Sequence, residues 1–180
     1  ISILAQSVLN TEGMIKFEEC IKGIAHLASN QWNDFYPPLD EDDGDPMERI
    51  SALGHLTDKS FILNTFKNTP IINSKVLGNI SLQVIDRAID PSTKKNDSDL
   101  DLIQIKGGFK DSNSDDVLAF YNATNQCINH LNSINQSFIE NAGNEYNVNF
   151  DAATDILSHL AATIKKYGNI NVELADTHTE

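Results

Sequence analysis

Residues 114–143 read SDDVLAFYNATNQCINHLNSINQSFIENAG, and the spacing of their apolar positions decides the fold. Val117, Tyr121, Thr124, Ile128, Leu131 and Phe138 recur at steps of three and four, with Phe120, Cys127 and Ile134 beside them, which is one face of a helix. Ser112 or Ser114 offers an N-cap, Asp115 and Asp116 suit the positive end of the helix dipole, and Gly143 supplies a closing residue. The stretch predicts a rod of about 40 Å at 1.5 Å per residue. A helix of that length with one greasy side must be covered by others.

Outward toward the N-terminus, Ile3, Leu4, Val8 and Leu9 suggest a short helix, and Thr11 caps a second whose stripe is Met14, Phe17, Ile21, Ile24 and Ala28. Trp32 and Phe35 extend that stripe until Tyr36-Pro37-Pro38 ends it. Asp45-Pro46-Met47-Glu48 then starts a helix through Ile50 and Leu53, with Asp45 as cap and Pro46 in the first turn. Thr57 restarts the chain through Phe61, Ile62, Thr65 and Phe66, and Asn68-Thr69-Pro70 stops it. A helix opening at Asn73 or Ser74, with Leu77, Ile80, Val84, Ile85 and Ala88 inward, is expected to close at Asp90-Pro91, followed by a polar loop to Ser98. Residues 99–106 read equally as a strand or a short helix, either ended by Gly107-Gly108.

Toward the C-terminus, a helix from about Asp151 carries Ala153, Leu157, Leu160, Ala161 and Ile164 on one side and stops at Gly168. Tyr146, Val148 and Phe150 before it, and Ile170, Val172 and Leu174 after it, alternate and could pair as a minor β-ribbon. The expected architecture is mainly α: a single domain, residues 1–180, forming an irregular bundle of six or seven helices around the rod at 114–143.

A net charge of −13, from 13 basic against 26 acidic residues, argues against nucleic-acid binding and against anionic membrane surfaces. Cys20 and Cys127 show no metal-ligand or redox spacing and read as buried reduced thiols, with one long-range disulfide as the alternative. No run reaches the length of a membrane span. The chain begins at Ile1, so it is expected to be soluble, either cytoplasmic or exported after loss of a leader.

The phosphate-loop, zinc-helix and nucleophile-elbow motifs are missing, and no cofactor is expected. His26, His55 and His159 project away from the stripes of their own helices. Asp155 with His159, and Cys127 with His130, are pairs at helical spacing that could serve a helical enzyme or metal-dependent protein whose site is assembled from distant segments. The densest feature is the loop with Asp40, Glu41, Asp42, Asp43 and Asp45 inside six positions, preceded by Tyr36. It lacks the order of a calcium-binding loop and reads either as a plain solvated loop or as a contact surface for a basic protein. The leading expectation is therefore a non-enzymatic, acidic protein-binding module of inhibitor, immunity-protein or adaptor type. The assembled-site enzyme and a structural or assembly subunit are the alternatives.

Overall fold

The computed structural model describes residues 2–90, 92 and 99–170, the side chains of 55, 57 and 59–63 apart. The chain runs through α1 (Ser2–Thr11), α2 (Met14–Asn30), α3 (Met47–Ala52), α4 (Gly54–Thr57) and α5 (Lys59–Asn68). A hairpin of β1 (Pro70–Ser74) and β2 (Gly78–Ser81) leads into α6 (Leu82–Ile89), α7 (Leu102–Asp111) and α8 (Ser114–Ala142). A 3-10 turn at Asn144–Tyr146 precedes α9 (Asp151–Tyr167). The mainly helical architecture around a long central rod is borne out.

Helix α8 is unbroken, and its apolar side is dry as the spacing requires. Val117, Phe120, Cys127, Leu131, Ile134 and Phe138 are buried, and Tyr121 and Ile128 are partly covered. Thr124 is also fully buried; its Oγ1 donates to Phe120 O at 2.8 Å, which satisfies that hydroxyl. The N-cap is neither serine expected. Asn113 Oδ1 accepts from Asp115 N at 2.9 Å, a carboxamide doing the capping that Ser112 or Ser114 was expected to do.

α2 and α9 make the most extensive contacts with α8. On α2 the predicted stripe Met14, Phe17, Ile21, Ile24 and Ala28 is buried throughout, and on α9 so are Ala153, Leu157, Leu160, Ala161 and Ile164. Among the described residues three polar links cross the α2–α8 seam: Ser29 Oγ with Ser137 Oγ at 2.8 Å and with Ser133 Oγ at 3.4 Å, and His130 Nε2 with Glu18 Oε1 at 2.9 Å.

Several local expectations are corrected. A ribbon at 70–81 takes up the first part of the segment from Asn73 where one helix was expected, because Ile71, Ile72 and Ile80 are β-branched residues buried on the hairpin and Gly78 takes φ 73° at its turn. Ser74 Oγ accepts from Leu77 N at 3.0 Å and donates to Asp111 Oδ2 at 2.5 Å, tying the hairpin to α7. Near the C-terminus, Val148 and Phe150 are buried but stand outside any strand. Val148 N instead donates to Asn135 Oδ1 at 2.8 Å.

The ambiguous stretch after residue 99 is helical, opened by a capping box in which Asp101 accepts from Gln104 N and Gln104 Oε1 accepts from Asp101 N. That helix runs through both glycines. A Cβ at Gly108 would stand 2.6 Å from Ile80 Cδ1, so the glycine serves close approach of α7 to the hairpin rather than termination. On α1 the buried positions are Ser2, Ala5 and Leu9, and Ile3 and Leu4 are exposed. Helix α2 ends at Asn30, so Trp32 and Phe35 pack from a loop. Pro91, the loop at 93–98, Val172, Leu174 and the side chains of His55, Phe61 and Ile62 lie outside the described residues.

Candidate interaction surface

The acidic loop is built by its own carboxylates. Asp40 Oδ1 accepts from Asp42 N at 2.8 Å, Asp43 Oδ1 from Asp45 N at 3.0 Å and Asp45 Oδ1 from Met47 N at 2.6 Å, while Gly44 turns the chain at φ 76°. The expected start is shifted by one residue: Pro46 stands at the N-cap of α3 instead of in its first turn, and Asp45 just before it accepts from the first helical amide. Asp40, Glu41, Asp42 and Asp43 are exposed, Asp45 is half-buried, and Tyr36 is 78% exposed at the loop's entrance. Together with Pro38, Leu39, Met47 and Glu48 the loop encloses a depression of about 370 Å³. Tyr146 Oη donates to Asp45 Oδ2 at 3.4 Å, and the negative charge of Asp45, then desolvation, holds the phenol above its ordinary value.

What anchors the loop is Arg49, which the sequence reading passed over. It is 1% exposed. Nε donates to Pro37 O and Nη1 to Trp32 O, both at 2.6 Å, and the guanidinium lies 4.2 Å from the Phe35 ring centroid and 5.0 Å from that of Trp32. Trp32 in turn meets Phe138 of α8 edge to face at 4.9 Å. A chain of contacts therefore runs from the core of α8 through Trp32 and Arg49 to the base of the loop. Spacing alone puts Arg49 four and seven residues before Leu53 and Leu56, on their side of the chain, but an arginine there reads as solvated until the structure shows what closes over it.

The residues considered for chemistry do not form a reactive centre. His159 Nε2 bonds Asp86 Oδ1 on α6 at 2.9 Å, not Asp155, which is exposed. Thus His159 is exposed but not idle, and His26 is held by Asn30 on its own helix. Cys127 and His130 do gain a third neighbour, Glu18, from α2. Its effect is opposite to activation: burial first, and the Glu18 charge second, push the Cys127 thiol well above its ordinary 9.0. Both cysteines are free thiols, Cys127 buried and Cys20 partly so. Among the described residues no group of three or more His, Cys, Asp or Glu is disposed to hold a metal ion. No described helix is long and apolar enough to cross a membrane.

The thiol supplies a test of this geometry. In the unfolded chain Cys127 ionises above about 9, whereas in the folded chain it keeps its proton, so the unfolded state binds fewer protons and stability falls as pH rises past 9.0. Urea midpoints measured below and above that value should separate for the native chain and separate less for Cys127→Ala. Native-state alkylation should reach Cys20 before Cys127.

Residues 1–58 match the family "ImpA, N-terminal, type VI secretion system". Among solved structures the chain is similar to the N-terminal domain, including the conserved ImpA_N region, of the TssA component of the type VI secretion system from Burkholderia cenocepacia. The TM-score is 0.69 at 15% identity, over 92% of this chain and 68% of that one. At that identity the likeness is one of fold. No curated protein matches the chain at a significant level.

These two likenesses overturn the leading expectation of an inhibitor, immunity-protein or adaptor module, and they favour the alternative of a structural or assembly subunit. The acidity behind that expectation is real, but a charge and a dense loop suit any protein contact and do not distinguish an inhibitor from a building block. The family match spans α1 to α4, and so contains the acidic loop, Tyr36, Trp32 and Arg49 together.

Proposed function

We propose that this chain is a TssA-like assembly component of a type VI secretion system, a non-enzymatic subunit that joins other parts of the machine through protein contacts. The observation carrying this reading is that the matched segment 1–58 holds the acidic loop and the buried arginine that braces it. Bracing matters because a loop already held in one shape loses little entropy on docking. In this reading Asp40, Glu41, Asp42, Asp43 and Asp45 steer a positively charged surface of another subunit toward the loop, and Tyr36 supplies an aromatic anchor at its edge.

Disrupting the gene should abolish secretion by the type VI system of the source bacterium. Restoring the chain as the double variant Glu41→Lys, Asp42→Lys should return less than about a tenth of it, since reversed charges repel what the native ones attract. Those two positions leave the turn-forming carboxylates of Asp40, Asp43 and Asp45 in place. Full secretion without the gene would refute the assembly role, and full secretion with the variant would remove the loop from it.

A further inference from the structure

Among the described residues the sheet has two strands, so β1 pairs with β2 along one edge and with no strand along the other. Successive side chains of a strand point to opposite faces, so four residues in a row border one cleft along the strand's edge rather than across a face. Pro70, Ile71, Ile72 and Asn73 do so, lining a cleft of about 400 Å³ between β1 and the starts of α2 and α8. Pairing with β2 passes from Pro70–Ser81 to Ile72–Ile80, which leaves Ile71 as a bulge. Among the described residues no backbone–backbone bond outside the hairpin uses 71–73. An edge of that kind accepts a further strand. Proline at its first position and the bulge keep the edge short, which suits a brief contact rather than open-ended sheet growth.

The chemistry of the cleft selects what that strand carries. Its floor is apolar, since Met14, Val117 and Phe120 are buried there beside Ile71 and Ile72. Its rim holds three carboxylates, those of Glu12, Asp111 and Asp116, against one ammonium, that of Lys75. Asp111 is fixed at the hairpin turn, where its Oδ2 accepts from Ser74 Oγ at 2.5 Å and from Val76 N at 3.3 Å, while Glu12 and Asp116 are exposed. We infer that the free edge of β1 receives an extended segment of another protein, apolar at alternate positions and basic at its ends. Alternate side chains of such a segment fill the floor, its lysines or arginines meet the rim, and main-chain bonds to β1 supply affinity. This contact is separate from the acidic loop at 40–45, whose anchor packs on Phe138 near the other end of α8. The inference goes beyond the assembly reading and does not depend on it.

Calorimetric titration and amide hydrogen exchange of the full chain test it, with capped heptapeptides that carry Val, Leu or Phe at alternate positions and Lys at both ends. At least one of these should bind and slow exchange at 71–73 by about tenfold or more. The same peptide with Glu in place of Lys should bind about tenfold or more weakly, because like charges meet at the rim. N-methylation of alternate peptide amides, in one of its two registers, should cost a similar factor by removing the bonds to β1. The double variant Glu12→Lys, Asp116→Lys should weaken the Lys-flanked peptide by about tenfold or more. Glu12→Gln, Asp116→Asn, with an intermediate loss, guards against a reversal that perturbs folding. No binding of any Lys-flanked peptide up to about 1 mM, equal or tighter binding of the Glu-flanked form, or indifference to N-methylation in both registers would each overturn the strand-adding contact. Protection that falls elsewhere than 71–73 would overturn it as well. These readouts use the purified chain and the assembly role is read from secretion, so either can fail while the other holds.

Discussion

Arg49→Ala is expected to destabilise the fold by about 3–5 kcal/mol, the range for breaking a buried polar network and leaving a void. Two effects compete at this site. Holding a cation where only 1% of the residue meets water is unfavourable, and that burial keeps the guanidinium below its ordinary pKa. Nη2 adds to the cost, since it has no hydrogen-bond partner among the described residues. Against this stand two short bonds to Pro37 O and Trp32 O and the faces of two aromatic rings.

Alanine removes all of the favourable contacts and leaves both carbonyls without the donor they now have. Arg49→Met should fall between the two, refilling the space without restoring the bonds. Arg49→Lys keeps the charge but not the fork that spans two carbonyls, and should also be intermediate. Equilibrium urea unfolding ranks the three. Hydrogen exchange across 38–45 should rise in the same order, because the loop's base is what Arg49 ties down. A native-like midpoint for Arg49→Ala would mean that the arginine is merely accommodated.

Phe138→Ala should cost a similar 3–5 kcal/mol, the value for emptying a fully buried aromatic position. The more telling quantity is its coupling to Arg49. Both side chains pack on Trp32, Phe138 edge to face at 4.9 Å and Arg49 over the ring at 5.0 Å. Removing either loosens the shared neighbour, so the double variant should lose less than the sum of the singles by about 0.5–3 kcal/mol. Trp32 is the single tryptophan of the chain, so its fluorescence follows this cluster without competing signals. Strict additivity would cut the proposed link between the core of α8 and the loop.

The loop was legible because five carboxylates in six positions cannot be buried, and Asp45-Pro46 marks a helix start through local chemistry alone. Its brace was not legible, since arginine is usually solvated and nothing local says that Trp32, Phe35 and Pro37 close over this one.

The sequence by itself determined the elements whose signal is periodic or local: the unbroken rod 114–142, the stripes of α2 and α9, the stop at Asn68-Thr69-Pro70 and the exposed acidic turn. Each depends on residues within a few positions of one another, and 3.6 residues per turn carries that information without a partner. Tertiary structure decided the rest. Leu77 and Ile80 fit the helical stripe expected from Asn73 or Ser74 onward, yet in the structure they meet α7 at Gly108 together with Ile72 from a hairpin. Glu18, Asp86 and Arg49 acquired their roles from His130, His159 and two backbone carbonyls on other segments. A charged side chain's energy is set by which groups surround it in space, and neighbours in sequence do not specify those groups.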